Sequence, residues 1–69
     1  MSKGKDKEAK AIFRLNTIVF PDSWNVYDSY GEVLLKMGDK AAAIKAYQQS
    51  VKLNPDNEHG KRVLEGITK

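Results

Sequence analysis

Apolar residues recur every three or four positions along this chain, and residue types that stop or start helices interrupt the pattern. After Ser23, the residues Trp24, Tyr27, Tyr30, Gly31, Leu34 and Leu35 fall on one face of a helix. Ser23 is a good N-cap for it. The run stops at "MGD": Gly38 can take the left-handed conformation that follows a helix end, and Asp39 can cap the next helix. In that helix Ala43, Ile44, Tyr47, Val51 and Leu53 again lie mostly on one side, and Pro55 ends it by forcing the preceding residue out of the helical region. Residues 24–57 therefore read as a helical hairpin.

The hairpin has a partial copy upstream. An offset of 34 places Ala9 on Ala43, Phe13 on Tyr47, Val19 on Leu53, Pro21 on Pro55, Asp22 on Asp56 and Ser23 on Asn57. Matches of this number at one offset, both prolines included, mark a repeat of supersecondary structure. The two cap residues, Ser23 and Asn57, are of the same kind.

Tyr27, Tyr30, Gly31, Leu34, Gly38, Asp39, Ala43, Ile44, Tyr47, Ser50, Val51 and Pro55 resemble the signature of the tetratricopeptide repeat, counted from Trp24. The small residues have a packing reason: Gly31 and Ala43 are expected where the hairpin helices cross and larger side chains would hold them apart. Ser50 stands where alanine is commonest and is expected to leave the packing intact. The resemblance implies an all-α fold of antiparallel helical hairpins, about one and a half repeats plus a C-terminal capping helix, forming one domain over residues 1–69. Residues 5–21 are expected to be the second helix of a preceding repeat, 24–57 a full repeat and 58–68 the cap. In the cap, Val63, Leu64 and Ile67 would cover the stack while Glu58, Lys61, Arg62 and Glu65 face water. Gly60 and Gly66 would each cost about 1 kcal/mol of helix propensity.

The first half-repeat departs from this pattern. Ile12 and Leu15 stand where the full repeat has Ala46 and Gln49, and Phe20 stands where it has Asn54. Conversely, Lys10 is opposite Ile44, and Asn16 opposite Ser50. Either the terminal helix is shifted or rotated, or Ile12, Leu15 and Phe20, joined by Trp24, face a partner. Stacks of this kind usually need about three repeats, so the expected partner is a second copy of the chain, giving a homodimer.

Composition narrows the function further. The 69 residues contain no cysteine, which removes disulfides and thiolate metal sites, and no apolar run long enough to span a bilayer. The opening "MSKGKDKEAK" has no secretory signal core, so the default expectation is a cytoplasmic chain. The net charge of +3 sits within residues 1–14, where Lys3, Lys5, Lys7, Lys10 and Arg14 outweigh Asp6 and Glu8. That is a solvated start rather than a basic stripe with interleaved aromatics, so no nucleic-acid partner is expected. His59 is the only histidine, so no metal or cofactor is expected, and it reads as a solvent-facing helix residue. Asp28 and Glu32, four apart, read as a solvated polar face rather than an acid–base pair. Ser2 and Lys5 match a Ser-x-x-Lys spacing only in a charged tail, where no nucleophile would be oriented. The chain is not expected to be an enzyme.

Recognition remains. The resemblance places a peptide-facing groove on Asn25, Asp28, Ser29, Glu32 and Lys36, continuing to His59 and Arg62. The two carboxylates would repel an acidic peptide. The wording "PDSWNVYDSYGE", with the later "LNPDN", also resembles the tetratricopeptide segment appended to the C-terminus of bacterial serine hydrolases of the β-lactamase type. That resemblance implies an alternative role, as an accessory segment whose catalytic domain is absent from this chain.

Overall fold

The two proline turns and the Gly-Asp turn divide the chain into four helices. The computed structural model describes residues 3–68, with side chains from residue 7 onward: α1 (Lys3–Val19), α2 (Trp24–Lys36), α3 (Lys40–Leu53) and α4 (Glu58–Ile67). The fold is all-α, with α2 and α3 forming the central hairpin, α1 packed on α2 and α4 packed on α3. α1 stops at Val19, short of the expected boundary at 21. Phe20, which precedes Pro21, cannot stay helical, and its N–H closes the final turn on the Asn16 carbonyl at 2.8 Å.

The repeat extends to backbone hydrogen bonds. At the first turn Phe20 N–H donates to Asn16 O at 2.8 Å and Ser23 N–H to Phe20 O at 3.1 Å. At the equivalent positions Asn54 N–H donates to Ser50 O at 2.9 Å and Asn57 N–H to Asn54 O at 3.0 Å. The two proline turns are one design used twice. The caps differ, however: the Asn57 side chain accepts from Gly60 N–H, whereas Ser23 has the extended backbone of a cap but makes no side-chain cap bond.

Between α2 and α3 the chain turns through Gly38, whose φ of +82° is the left-handed conformation that favours glycine. Gly38 N–H bonds to Leu35 O and Asp39 N–H to Leu34 O, at 3.0 and 2.9 Å, so the last carbonyls of α2 are satisfied. The Asp39 carboxylate then caps α3 by accepting from Ala42 N–H at 3.2 Å.

The helices lie in a slab of 35 × 30 × 15 Å. Packed helix axes sit about 8–10 Å apart, so this thickness gives few side chains neighbours on every side. Leu34, Ala43, Ala46 and Tyr47 form the buried apolar core among the described residues. Tyr30, Leu35, Ala42 and Ile67 pack around it while staying partly exposed.

Gly31 and Ala43 are both buried in the hairpin, and the side chain that meets Gly31 is that of Tyr47. A Cβ at Gly31 would lie 2.6 Å from Tyr47 Cε2 and 2.7 Å from Cδ2, so the Tyr47 ring itself covers the glycine. Gly60 also has a packing role. A Cβ there would meet Asn57 Nδ2 at 2.6 Å and Val51 Cγ2 at 3.1 Å, whereas one at Gly66 would meet open space.

One substitution should therefore act with opposite signs at two helical glycines. Gly31→Ala should lower stability by about 1–3 kcal/mol, because the buried Tyr47 ring has to move. Gly66→Ala should raise stability by about 0.5–1 kcal/mol through helix propensity alone. Urea titrations at one protein concentration would read both; a Gly31→Ala variant as stable as the parent would mean that the ring is not packed on the glycine.

Candidate functional site

Three helices meet at one side chain. Asn57 ends the Pro55 turn and begins α4, where its Oδ1 accepts the Gly60 N–H at 3.0 Å. Capping uses only the acceptor of the amide, leaving two N–H donors pointing back into the fold. Nδ2 donates to Ser50 Oγ of α3 at 2.8 Å and to Asp28 Oδ2 of α2 at 3.0 Å. Ser50 passes the chain on, its hydroxyl donating to the Trp24 carbonyl at 2.9 Å. Ser50 and Asn57 are both buried, and no buried side-chain polar atom among the described residues lacks a partner. Such a network stabilises because each member would otherwise carry a desolvation cost of about 1–3 kcal/mol.

Asp28 is thus drawn inward. Its side chain is 18% exposed, and the same Oδ2 lies 3.2 Å from His59 Nδ1, where a ring N–H donates to it. His59 is exposed but not isolated, since its ring meets the Tyr47 ring edge-on at a centroid distance of 6.2 Å. Tyr47 is 1% exposed, and burial, followed by the negative charges of Asp28 and Glu32, pushes its hydroxyl from 10.0 up to about 12.

The expected groove residues therefore separate into two groups. Asp28 and His59 are brought together and engaged within the fold, which corrects the view of Asp28 as part of a solvated face. Asn25, Glu32, Lys36 and Arg62 are exposed, and Ser29 is half-buried. On α1 and just after it, Ile12, Leu15 and Phe20 are 59%, 57% and 55% exposed, with Ile18 and Val19 beside them at 67% and 55%. Trp24 is half-buried instead. Ala9, Phe13 and Asn16, at the positions that in α3 face the hairpin, are less exposed than this stripe. Ser2 lies outside the described residues, as do the side chains of Lys5 and Asp6.

A depression of about 250 Å³ opens between α2 and α3, with Ala42 and Ala46 at its base, Tyr27 and Tyr30 on one wall and Lys45 and Gln49 at the rim. Its lining holds no pair of groups suited to nucleophilic attack and proton transfer. Among the described residues no three potential ligands gather as a metal site would require, and no helix is long and apolar enough to cross a membrane.

Sequence reasoning missed Ser50 and Asn57 as a linked pair. A signal was present: asparagine at the cap carries two N–H donors on an atom separate from its capping oxygen, which a serine hydroxyl does not, and Ser50 puts a hydroxyl where alanine is commonest.

Two outcomes test the network. Asn57→Ala should cost about 2–4 kcal/mol, since it removes a cap and strands Asp28 and Ser50, while Ser23→Ala should stay within about 0.5 kcal/mol. Equal losses in urea titration would show that Asn57 acts only as a cap. The second outcome follows from Tyr47. A folded-state value raised above that of the unfolded chain gives stability that is intact below pH 10 and lost as pH rises toward about 12. The thermal midpoint of the wild type should fall across that window more steeply than that of Tyr47→Phe; parallel curves would refute the assignment.

Comparison with known proteins places this geometry. No curated protein and no solved structure matches the chain. Residues 24–57 match the family model described as tetratricopeptide repeat, which is the segment from the start of α2 to the Asn57 cap. Through that segment the chain belongs to the tetratricopeptide repeat family.

Proposed function

We propose that this chain is a non-catalytic protein–protein interaction or assembly module, and that it associates with a second copy of itself through α1. The family is generally non-catalytic and suggests protein partners. The observation that carries the self-association is the stripe on α1: Ile12, Leu15, Ile18, Val19 and Phe20 are each more than half exposed. Soluble monomers rarely carry a contiguous apolar patch of this kind without a partner for it. Asn25, Ser29, Glu32, Lys36, His59 and Arg62 provide a separate polar surface for a peptide, with Asp28 supporting it from beneath.

The wording "PDSWNVYDSYGE" favours a second reading, the accessory segment of a β-lactamase-type serine hydrolase. In that reading the same stripe rests on a catalytic domain. Sedimentation of the isolated chain across a concentration series separates the two. Self-association predicts a mass that rises with concentration for the wild type and stays monomeric for the Ile12→Ser, Leu15→Ser double variant. A wild type that is folded and monomeric at high micromolar concentration would sink the first reading and leave the second.

A further inference from the structure

We infer that the self-association is a closed, two-fold pairing of α1 against α1 of the second copy, running antiparallel, and not a head-to-tail continuation of the repeat stack. The inference rests on the self-association proposed above and specifies its symmetry. Repeat units tempt one toward an open stack, in which α4 of one copy would supply the first-type helix that pairs with α1 of the next. That arrangement is heterologous and needs a complementary apolar surface at each end.

The two ends of this molecule are not alike. Every large apolar side chain that is strongly exposed among the described residues belongs to α1 or to Phe20 just after it. On α4 the exposed positions are Glu58, His59, Lys61, Arg62, Glu65 and Gly66, whereas Val63, Leu64 and Ile67 are partly buried, with Ile67 packed against the core. Stacking α1 on that surface would desolvate charged groups without partners. Burying α1 against α1 places apolar on apolar. A surface that is complementary only to itself gives an isologous dimer, which closes and does not grow.

Spacing and charge choose the direction. Ile12, Leu15 and Val19 follow one another at three and four residues, the seam spacing of paired helices, with Ala11 and Ile18 alongside. The same spacing continues back from Ile12 to Glu8, four residues earlier, so an exposed carboxylate ends the seam, while Lys7, Lys10 and Arg14 lie off it. Parallel pairing would set each Glu8 beside its own image and align the two helix dipoles. Antiparallel pairing separates the two Glu8 carboxylates by eleven helical positions, about 16 Å, and opposes the dipoles. With Ile12 against the partner copy's Leu15, the axis passes between these two positions, and Glu8 falls opposite Val19.

The area is adequate. Five large apolar side chains at these exposures leave on the order of 500 Å² in water, near the top of what a soluble monomer carries. The flanking stems of Lys7, Glu8 and Arg14 extend the contact toward the about 800 Å² per partner of a stable interface.

The chain has no cysteine, so single cysteines can report the direction without background. In the antiparallel dimer the two copies of Val19 lie eleven helical positions apart, about 16 Å, too far for a disulfide. Under oxidised glutathione, Val19→Cys alone should stay unlinked, while Val19→Cys mixed with Glu8→Cys should give several-fold more covalent dimer than either variant alone. Ile12→Cys mixed with Leu15→Cys should also link, and each of these alone should link as well, since it lies only three positions, about 4.5 Å along the axis, from its own image. All four positions are exposed, and unchanged far-ultraviolet circular dichroism would confirm folding. Sedimentation should reach a plateau at twice the chain mass. Self-linking of Val19→Cys would overturn the direction, and a mass that keeps climbing past the dimer would overturn closure; either would leave the self-association itself standing. A monomeric wild type would overturn both the self-association and the symmetry built on it.

Discussion

The amide of Asn57 is the constraint on which the arrangement of α2, α3 and α4 depends. Its oxygen starts α4 and its nitrogen holds Ser50 of α3 and Asp28 of α2 at 2.8 and 3.0 Å, so one planar group sets the placement of three helices. A thin slab has few side chains enclosed by neighbours, and apolar burial is non-directional, so it orients helices only loosely. A buried amide is directional. Any rotation of α4 would separate a donor from its acceptor in a place that water does not reach, with a cost comparable to that of a lost core contact.

The same network accounts for the small residues around it. Gly60 is required because a methyl group would strike the Asn57 amide, and Gly31 because the Tyr47 ring lies where its Cβ would be. Tyr47 in turn fills the space between α2 and α3 and presents its ring to His59, which reaches Asp28. The polar and apolar parts of the core are thus parts of one assembly, and the tyrosine hydroxyl registers this by its reluctance to ionise.

The two ends of the molecule contrast. α4 is amphipathic in the ordinary sense, with its charged residues exposed and Ile67 against the core, so it closes its side of the slab. α1 turns Phe13 and Asn16 toward the fold and leaves Ile12, Leu15, Ile18 and Val19 in water. A helix with apolar residues on two sides has one more apolar face than α2 can cover. That surplus lies beside exposed polar residues on α2 and α4, and the proposed association rests on it.

Much of this was legible in the sequence. The starts of α2, α3 and α4, the Gly38 turn, the two proline turns and the 34-residue period depend on local sterics and on capping chemistry, which act between residues close together in the chain. The family was legible for the same reason, since its signature records which helix positions must be small or large. The surplus on Ile12 and Leu15 was visible as a departure from the period, although position alone left open whether a rotated helix would hide it. What only the tertiary structure decided is which groups meet across the fold: Asp28 with Asn57 and His59, Ser50 with the Trp24 carbonyl, and the Tyr47 ring over Gly31. These pairs are separated by 16 to 31 residues, and a difference of one ångström in helix placement makes or breaks each hydrogen bond. Periodicity specifies the face of a helix; only packing sets its depth and rotation, and hydrogen bonds are decided at that scale.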